Sequence, residues 1–299
     1  MNYRNCFNAV LAVLLIHVLL KSTTMADNRR LKLRKRLASP IKNELTDELG
    51  KYVVSIRSRR PQIIFGDNHY CGGAIIAPRY VLTAAKCSMN KYKVMHPIRS
   101  IVVVGGTANR LKEVDTTVTN AVKKIFVPDN FTLYSKNNIA ILLLEAAWPT
   151  DNPRIDIIKL PDVAPNYNDI YMVLGWGRMY KGGPLAANLV HIDVKLLDRK
   201  TCLIMLKGLY PEMLCAGNFH DELDSNPCAG DTGDPMIRNN TLIGIVSHRV
   251  GCGTSEMPSI YTDVWYHTNW IKDTMQNMAH PFDAKFLNLL LVALIALLA

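Results

Sequence analysis

An all-β fold, a barrel or a sandwich closed by one C-terminal helix, is the architecture this chain predicts, on two observations. Short β-branched or apolar runs recur between turn residues from Tyr52 to Tyr261, and one amphipathic stretch follows them. In chain order the clearest runs are Tyr52-Val53-Val54-Ser55-Ile56, Ile101-Val102-Val103-Val104, Ile139-Ala140-Ile141-Leu142-Leu143-Leu144 and Leu242-Ile243-Gly244-Ile245-Val246. From Val264 to Met278, Trp265, Trp270, Ile271 and Met275 fall at helix-compatible intervals, so this segment reads as the closing helix. With 299 residues, 49% hydrophobic and 20% charged, the chain can bury one large β-rich domain or two smaller ones. It shows no internal repeat.

The two ends read as processing or targeting segments. Residues 1–26 form an export signal: an apolar run from Phe7 to Leu20 follows Arg4 and ends near the small residues Thr24-Met25-Ala26. An uncleaved anchor or a buried core helix are the other readings of that run. Residues 27–40 look like a propeptide, because six of the eight residues from Arg29 to Arg36 are basic. Such a run can hold anionic glycans or lipid headgroups, can be cut by a protease, or can be a solvated, removable tail. It also inflates the net charge of +10, so the folded part is not expected to bind nucleic acid. The domain then spans residues 41–278. Residues 279–299 end in an apolar tail, Phe286 to Ala299, shorter than the roughly 20 residues a membrane span needs. A polar spacer followed by such a tail fits a GPI-attachment signal, with Asn277 as the attachment residue, and hence attachment to a membrane surface. A hydrophobic extension packed on the domain, or a poorly inserted anchor, is the competing reading.

Of the seven cysteines, Cys6 lies in the signal, leaving Cys71, Cys87, Cys202, Cys215, Cys228 and Cys252. An even set in an exported chain implies three disulfides, although parity alone allows about fifteen connectivities. No C-x-x-C pair occurs and the histidines do not cluster with the cysteines, so neither a metal nor any other cofactor is expected. Asn130 and Asn239 begin glycosylation sequons and predict surface loops.

Five ordered motifs carry a family resemblance. Cys71-Gly72-Gly73-Ala74-Ile75-Ile76, followed by Val81 to Cys87, resembles the first signature of the chymotrypsin/trypsin-like serine proteases. Asn138-Ile139-Ala140-Ile141-Leu142 resembles the segment that bears the family's aspartate, and Gly175-Trp176-Gly177 its mid-chain landmark. Cys228 to Pro235 resembles the nucleophile loop, and Pro258-Ser259-Ile260-Tyr261 with the last helix completes the series. The likeness covers about residues 50 to 278. It implies two antiparallel β-barrels with a site in the cleft between them and a C-terminal α-helix. It also implies disulfides Cys71–Cys87, Cys202–Cys215 and Cys228–Cys252.

Triad chemistry needs a hydroxyl nucleophile, an imidazole that carries its proton and a carboxylate that orients the imidazole. The resemblance puts Lys86 at the histidine position, Asn138 at the aspartate position and Thr232 at the serine position. An exposed lysine, with a pKa of about 10.4, is protonated at neutral pH and accepts no proton. In an active triad, the aspartate-to-asparagine change alone lowers turnover about 10⁴-fold. The Thr232 methyl restricts its rotamer and crowds attack. By the same resemblance Gly230 and Thr232 carry the oxyanion-hole N–H groups. Asn226 lies at the base of the specificity pocket, and Arg249 and Ser259 at its two walls, where glycine leaves the slot open. Arg249 is therefore expected to narrow or fill the slot, unless it turns to solvent and leaves a shallow polar groove. His248 replaces the tryptophan that precedes the first wall glycine. Asp231 matches the aspartate that pairs with a cleavage-generated amino terminus. The stretch after Arg36, Leu37-Ala38-Ser39-Pro40, lacks the usual glycines. Asp234 stands where the family has glycine and adds negative charge.

These residues predict a non-catalytic serine protease homolog, a pseudoprotease acting in the extracellular space through a protein partner such as a protease, an inhibitor or a protease substrate. One alternative is an unconventional endopeptidase that uses Thr232 with Lys86. The other is a structural surface protein displayed on a membrane.

Overall fold

The structure is a computed structural model and describes residues 41–133, 136–180, 182–206, 208–217, 226–248 and 257–279, with residues 278 and 279 described by backbone alone. The signal, the propeptide-like segment with Arg36, the C-terminal tail, Arg249 and Cys252 lie outside the described residues.

The choice between barrel and sandwich is settled as two closed antiparallel barrels of six strands each. The first contains β1 (Val53–Ser58), β2 (His69–Ala77), β3 (Tyr80–Thr83), β4 (Ile101–Gly105), β5 (Val118–Phe126) and β6 (Ala140–Leu144), in the order β1-β2-β3-β6-β5-β4. The second contains β7 (Ile170–Gly175), β8 (Val190–Leu196), β9 (Met213–Gly217), β10 (Pro235–Arg238), β11 (Thr241–His248) and β12 (Ser259–Asp263), in the order β10-β11-β12-β9-β8-β7. Closure removes the free strand edges that would otherwise pair with other chains.

The strands read as continuous apolar runs because many are covered on both faces. All five residues of β6 are buried, as are the first five of β1. One core cluster joins Val54, Leu82 and Leu142 of the first barrel to Leu174, Ile237 and Ile245 of the second. A buried leucine such as Leu142 contributes about 1.5–3 kcal/mol, so this shared core holds the barrels as one body. A second cluster, including Tyr171, Val194, Leu214 and Tyr261, fills the second barrel.

Local chemistry explains the connections. Asn239 and Asn240, with φ of 49° and 56°, form the tight turn between β10 and β11. Two left-handed residues match the twist of a two-residue hairpin, and asparagine tolerates that conformation. Asn130 and Asn239 are both exposed, as their sequons predict. Helix α1 (Glu44–Leu49) starts in a capping box between Asn43 and Thr46. Helix α2 (Arg199–Leu206) follows Asp198, whose carboxylate accepts from Thr201 N at 3.0 Å.

The closing helix, α3, spans Thr268–Ala279 rather than starting at Val264. Residues 264–267 instead form turns, with the Asp263 carboxyl accepting from Tyr266 N at 3.2 Å. Ile271 is buried, with Trp270 and Met275 packed against the shared core, while Asn277 is exposed. No helix among the described residues is long and apolar enough to cross a membrane.

Disulfides join Cys71 to Cys87 and Cys202 to Cys215, and Cys228 is also disulfide-bonded. The first bond ties β2 to the turn that carries Lys86. Replacing Cys71 and Cys87 together by serine is expected to cost about 3 kcal/mol, the loop-closure entropy for a separation of 16 residues. Equilibrium denaturant unfolding of parent and variant measures this difference.

Candidate functional site

The site is built where three chain segments meet between the barrels. Strand β3 runs into a single 3-10 turn, Ala85–Ser88, which presents Lys86. Asn138 precedes β6 and is 1% exposed. The third segment, residues 226–234, carries glycines where its backbone turns left-handed, at Gly230 (φ 101°) and Gly233 (φ 86°). Between them Thr232 is held by its carbonyl, which accepts from Gly72 N at 2.8 Å, while Gly233 N donates to Val246 O at 2.9 Å.

Lys86 and Thr232 line one cavity of about 320 Å³, with His248 and Lys91 also on its wall. Asn138 stands behind them, and its amide orientation follows from its partners. Lys86 N can only donate, and it reaches Asn138 Oδ1 at 3.0 Å. The amide nitrogen therefore donates to Ser247 Oγ at 2.9 Å. Ser247 in turn meets His248 Nδ1 at 2.8 Å, and His248 Nε2 lies 3.3 Å from Leu133 O. A carbonyl accepts only, so Nε2 bears the proton and Nδ1 receives the serine hydroxyl. Burial, with the nearby Lys86 charge, pushes His248 down to about 4, so this imidazole is neutral at physiological pH.

A second relay reaches the site from the other side and was not singled out from the sequence. Arg57 Nε donates to Ser55 Oγ at 2.8 Å, Ser55 meets His69 Nδ1 at 2.8 Å, and His69 Nε2 reaches Gly230 O at 3.2 Å. The arginine donor fixes the direction of each following bond, ending in an N–H donated to the Gly230 carbonyl. His69 is buried edge-on to Trp176 and pushed down to about 3, first by burial and then by Arg110 and Arg57.

Two aspartates anchor loop 226–234. Asp231 accepts from Gly177 N at 2.6 Å and Cys228 N at 2.7 Å. It also lines a cavity of about 30 Å³. Asp234 is fully buried, wedged between the barrels over Gly72 of β2 and Gly175 of β7, where a Cβ would collide with its carboxylate oxygens. Asp231 Oδ1 lies within 2.7 Å of the position a Cβ on Gly175 would take, so the carboxyls crowd one spot. Glycine at 175 and 177 is thus required by the two carboxyls. As an ion, Asp234 has no hydrogen-bond donor for either oxygen among the described residues. Burial and the Asp231 charge push its pKa well above the carboxylate range, and once protonated it shares a hydrogen bond with Asp231.

Asn226 and Ser259 are 1% and 0% exposed, and the Ser259 hydroxyl donates to Asn226 Oδ1 at 3.0 Å. The expected base and wall are closed onto one another. The other wall residue, Arg249, is not among the described residues.

One further hydroxyl, imidazole and carboxylate series escaped sequence reasoning. His191 Nδ1 is 2.7 Å from Thr46 Oγ1, and its Nε2 is 4.0 Å from Asp193 Oδ1. The three residues are scattered along the chain and match no spacing signal. Thr46 is fully buried and committed to the capping box of α1, so its oxygen is shielded from any substrate. Burial lowers the His191 pKa. The series ties α1 to β8.

The family model described as Trypsin matches residues 43–271. Among individual proteins, Trypsin of Squalus acanthias is 32% identical over 216 residues, covering 70% of this chain and 87% of the relative. Serine protease SP24D of Anopheles gambiae is 31% identical, covering 72% of this chain and 75% of that protein. Kallikrein-4 of Homo sapiens is 29% identical, covering 72% and 81% respectively.

The buried groups set a pH dependence. Burial raises the Asp234 pKa well above the carboxylate range in the fold, so unfolding above about pH 4 releases its proton and the group costs stability as pH rises. Asp263, pushed up to about 6 by burial, acts in the same sense up to that pH. His69 and His248 act oppositely, because they charge on unfolding below about pH 6.5 and cost stability as pH falls. Asp234→Asn is therefore expected to match the parent near pH 4 and to gain in Tm over it as pH is raised to 8. A difference that stays constant across that range would show that Asp234 ionises normally.

Proposed function

Because the chain belongs to the trypsin family of serine proteases, we propose that it is a member that binds a protein partner and does not cut it. Asn138 carries this reading. Its amide donates to Ser247 and accepts from Lys86 N, so a neutral group fills the place where triad chemistry needs a carboxylate. Lys86 supports it further, since an ammonium at the cavity wall has no lone pair with which to take a hydroxyl proton. Closure of Ser259 onto Asn226 also argues against a deep slot for a substrate side chain. Export is part of the proposal, and the disulfides support it because such bonds persist in oxidising compartments. The partner is a protease, an inhibitor or a protease substrate, held by the loops around the former cleft.

A second reading rests on one observation. Thr232 and Lys86 line the same cavity, so a lysine stripped of its proton would be placed near a hydroxyl. The two readings diverge in a hydrolysis assay on a diverse peptide and ester panel. The parent protein is expected to show no turnover above Lys86→Ala and Thr232→Ala. Turnover in the parent that either substitution abolishes would instead establish a threonine–lysine hydrolase.

A further inference from the structure

We propose that the loop between β1 and β2 is a membrane-contact surface: its tip isoleucines, Ile63 and Ile64, enter the interface of an anionic lipid bilayer, while Arg59, Arg60 and Arg99 meet the headgroups. The inference is independent of whether the cleft cuts its partner. Ile63 is 90% exposed and Ile64 52%, and Ile98, next to Arg99 in the chain, is 38% exposed. A lone exposed isoleucine needs no explanation, whereas apolar residues grouped with cations mark a binding surface. Two hydrogen bonds hold the segments together: Arg59 N donates to Ser100 O at 2.7 Å, and its guanidinium to Arg99 O at 3.1 Å. The three arginines are exposed, and among the described residues no carboxylate pairs with any of them.

The tip is fixed by its own backbone. Asp67, the one acidic residue of the loop, accepts from Gln62 N at 2.8 Å, Ile63 N at 2.6 Å and Ile64 N at 3.0 Å, so its charge is turned onto these N–H groups. Phe65 is drawn the other way, with the Arg57 guanidinium 4.5 Å above its ring. At the base, buried Arg110 donates to Gly66 O at 2.6 Å, and Ser58 N donates to Asn68 O at 3.2 Å. The isoleucines are therefore held out in water by a loop that needs no further ordering to bind. A protein partner would need a complementary surface of about 800 Å². A bilayer interface accepts a protruding apolar tip without one, and the long arginine stems can lie along it while their heads meet phosphates.

The test is a vesicle titration of the full chain carrying an environment-sensitive nitrobenzoxadiazole label on Gln62→Cys. The parent taken through the same labelling is the blank, and a label on Lys195→Cys, exposed on β8 of the second barrel, is the control position. Vesicles are phosphatidylcholine alone or an equimolar mixture with phosphatidylserine. The label at 62 is expected to brighten and shift to the blue at least about tenfold less lipid on the mixed vesicles, since each cation near an anionic surface strengthens binding about fivefold. Salt should shrink that advantage. Arg60→Gln with Arg99→Gln should erase the lipid preference of the response, and Ile63→Ser with Ile64→Ser should abolish the blue shift, with thermal melts verifying that each variant is folded. Both ends of the chain are common to all variants, so these differences report on the loop. No response at 62, an equal response at 195, or a response that survives the isoleucine or arginine substitutions overturns the membrane contact. A label that answers soluble poly-glutamate but no vesicle also overturns it and assigns the loop to an acidic protein instead.

Discussion

The buried Asp234 carboxyl, wedged between Gly72 of one barrel and Gly175 of the other, is the constraint around which the cleft is organised. It excludes any side chain at the two glycines and holds loop 226–234 against both barrels. With no donor among the described residues, burial and the Asp231 charge raise its pKa well above the carboxylate range, toward the form that can donate to Asp231. Asp231 is in turn fixed by two backbone N–H groups. The left-handed glycines 230 and 233 then set the course of the chain on either side of Thr232. A change to any of these parts shifts the others, because packed interiors leave little slack.

Two hydrogen-bond relays hold this loop and the opposite wall. One runs from Arg57 through Ser55 and His69 to Gly230, and the other from Asn138 through Ser247 and His248 to Leu133. In each, a group that can only donate begins the chain and a carbonyl that can only accept ends it. The imidazoles are therefore neutral connectors, and burial keeps them so. Asn138 is central to the second relay. A carboxylate there would have no hydrogen to give Ser247, so the amide is what lets the relay run in this direction.

The cavity wall brings Lys86, Lys91 and Thr232 together with the neutral imidazole of His248, and no carboxylate stands among its described residues. The family's two-barrel scaffold is retained around this cleft.

The sequence by itself determined the strand-rich architecture, because runs such as Ile139 to Leu144 are apolar at every position and have no other home than a doubly covered strand. Its ordered motifs also located Lys86, Asn138, Thr232, Asn226 and Ser259, since each lies a fixed few residues from a cysteine, glycine or apolar landmark. Helices α1 and α2 were signalled only by the caps Asn43 and Asp198, too short a pattern to stand out against the surrounding loops. What the tertiary structure alone decided are contacts between residues far apart in the chain: His69 with Gly230, Asn138 with Ser247, Thr46 with His191 and Asp234 with two glycines. A hydrogen bond's direction and a carboxyl's protonation depend on what surrounds the group in space, and linear spacing carries no record of that.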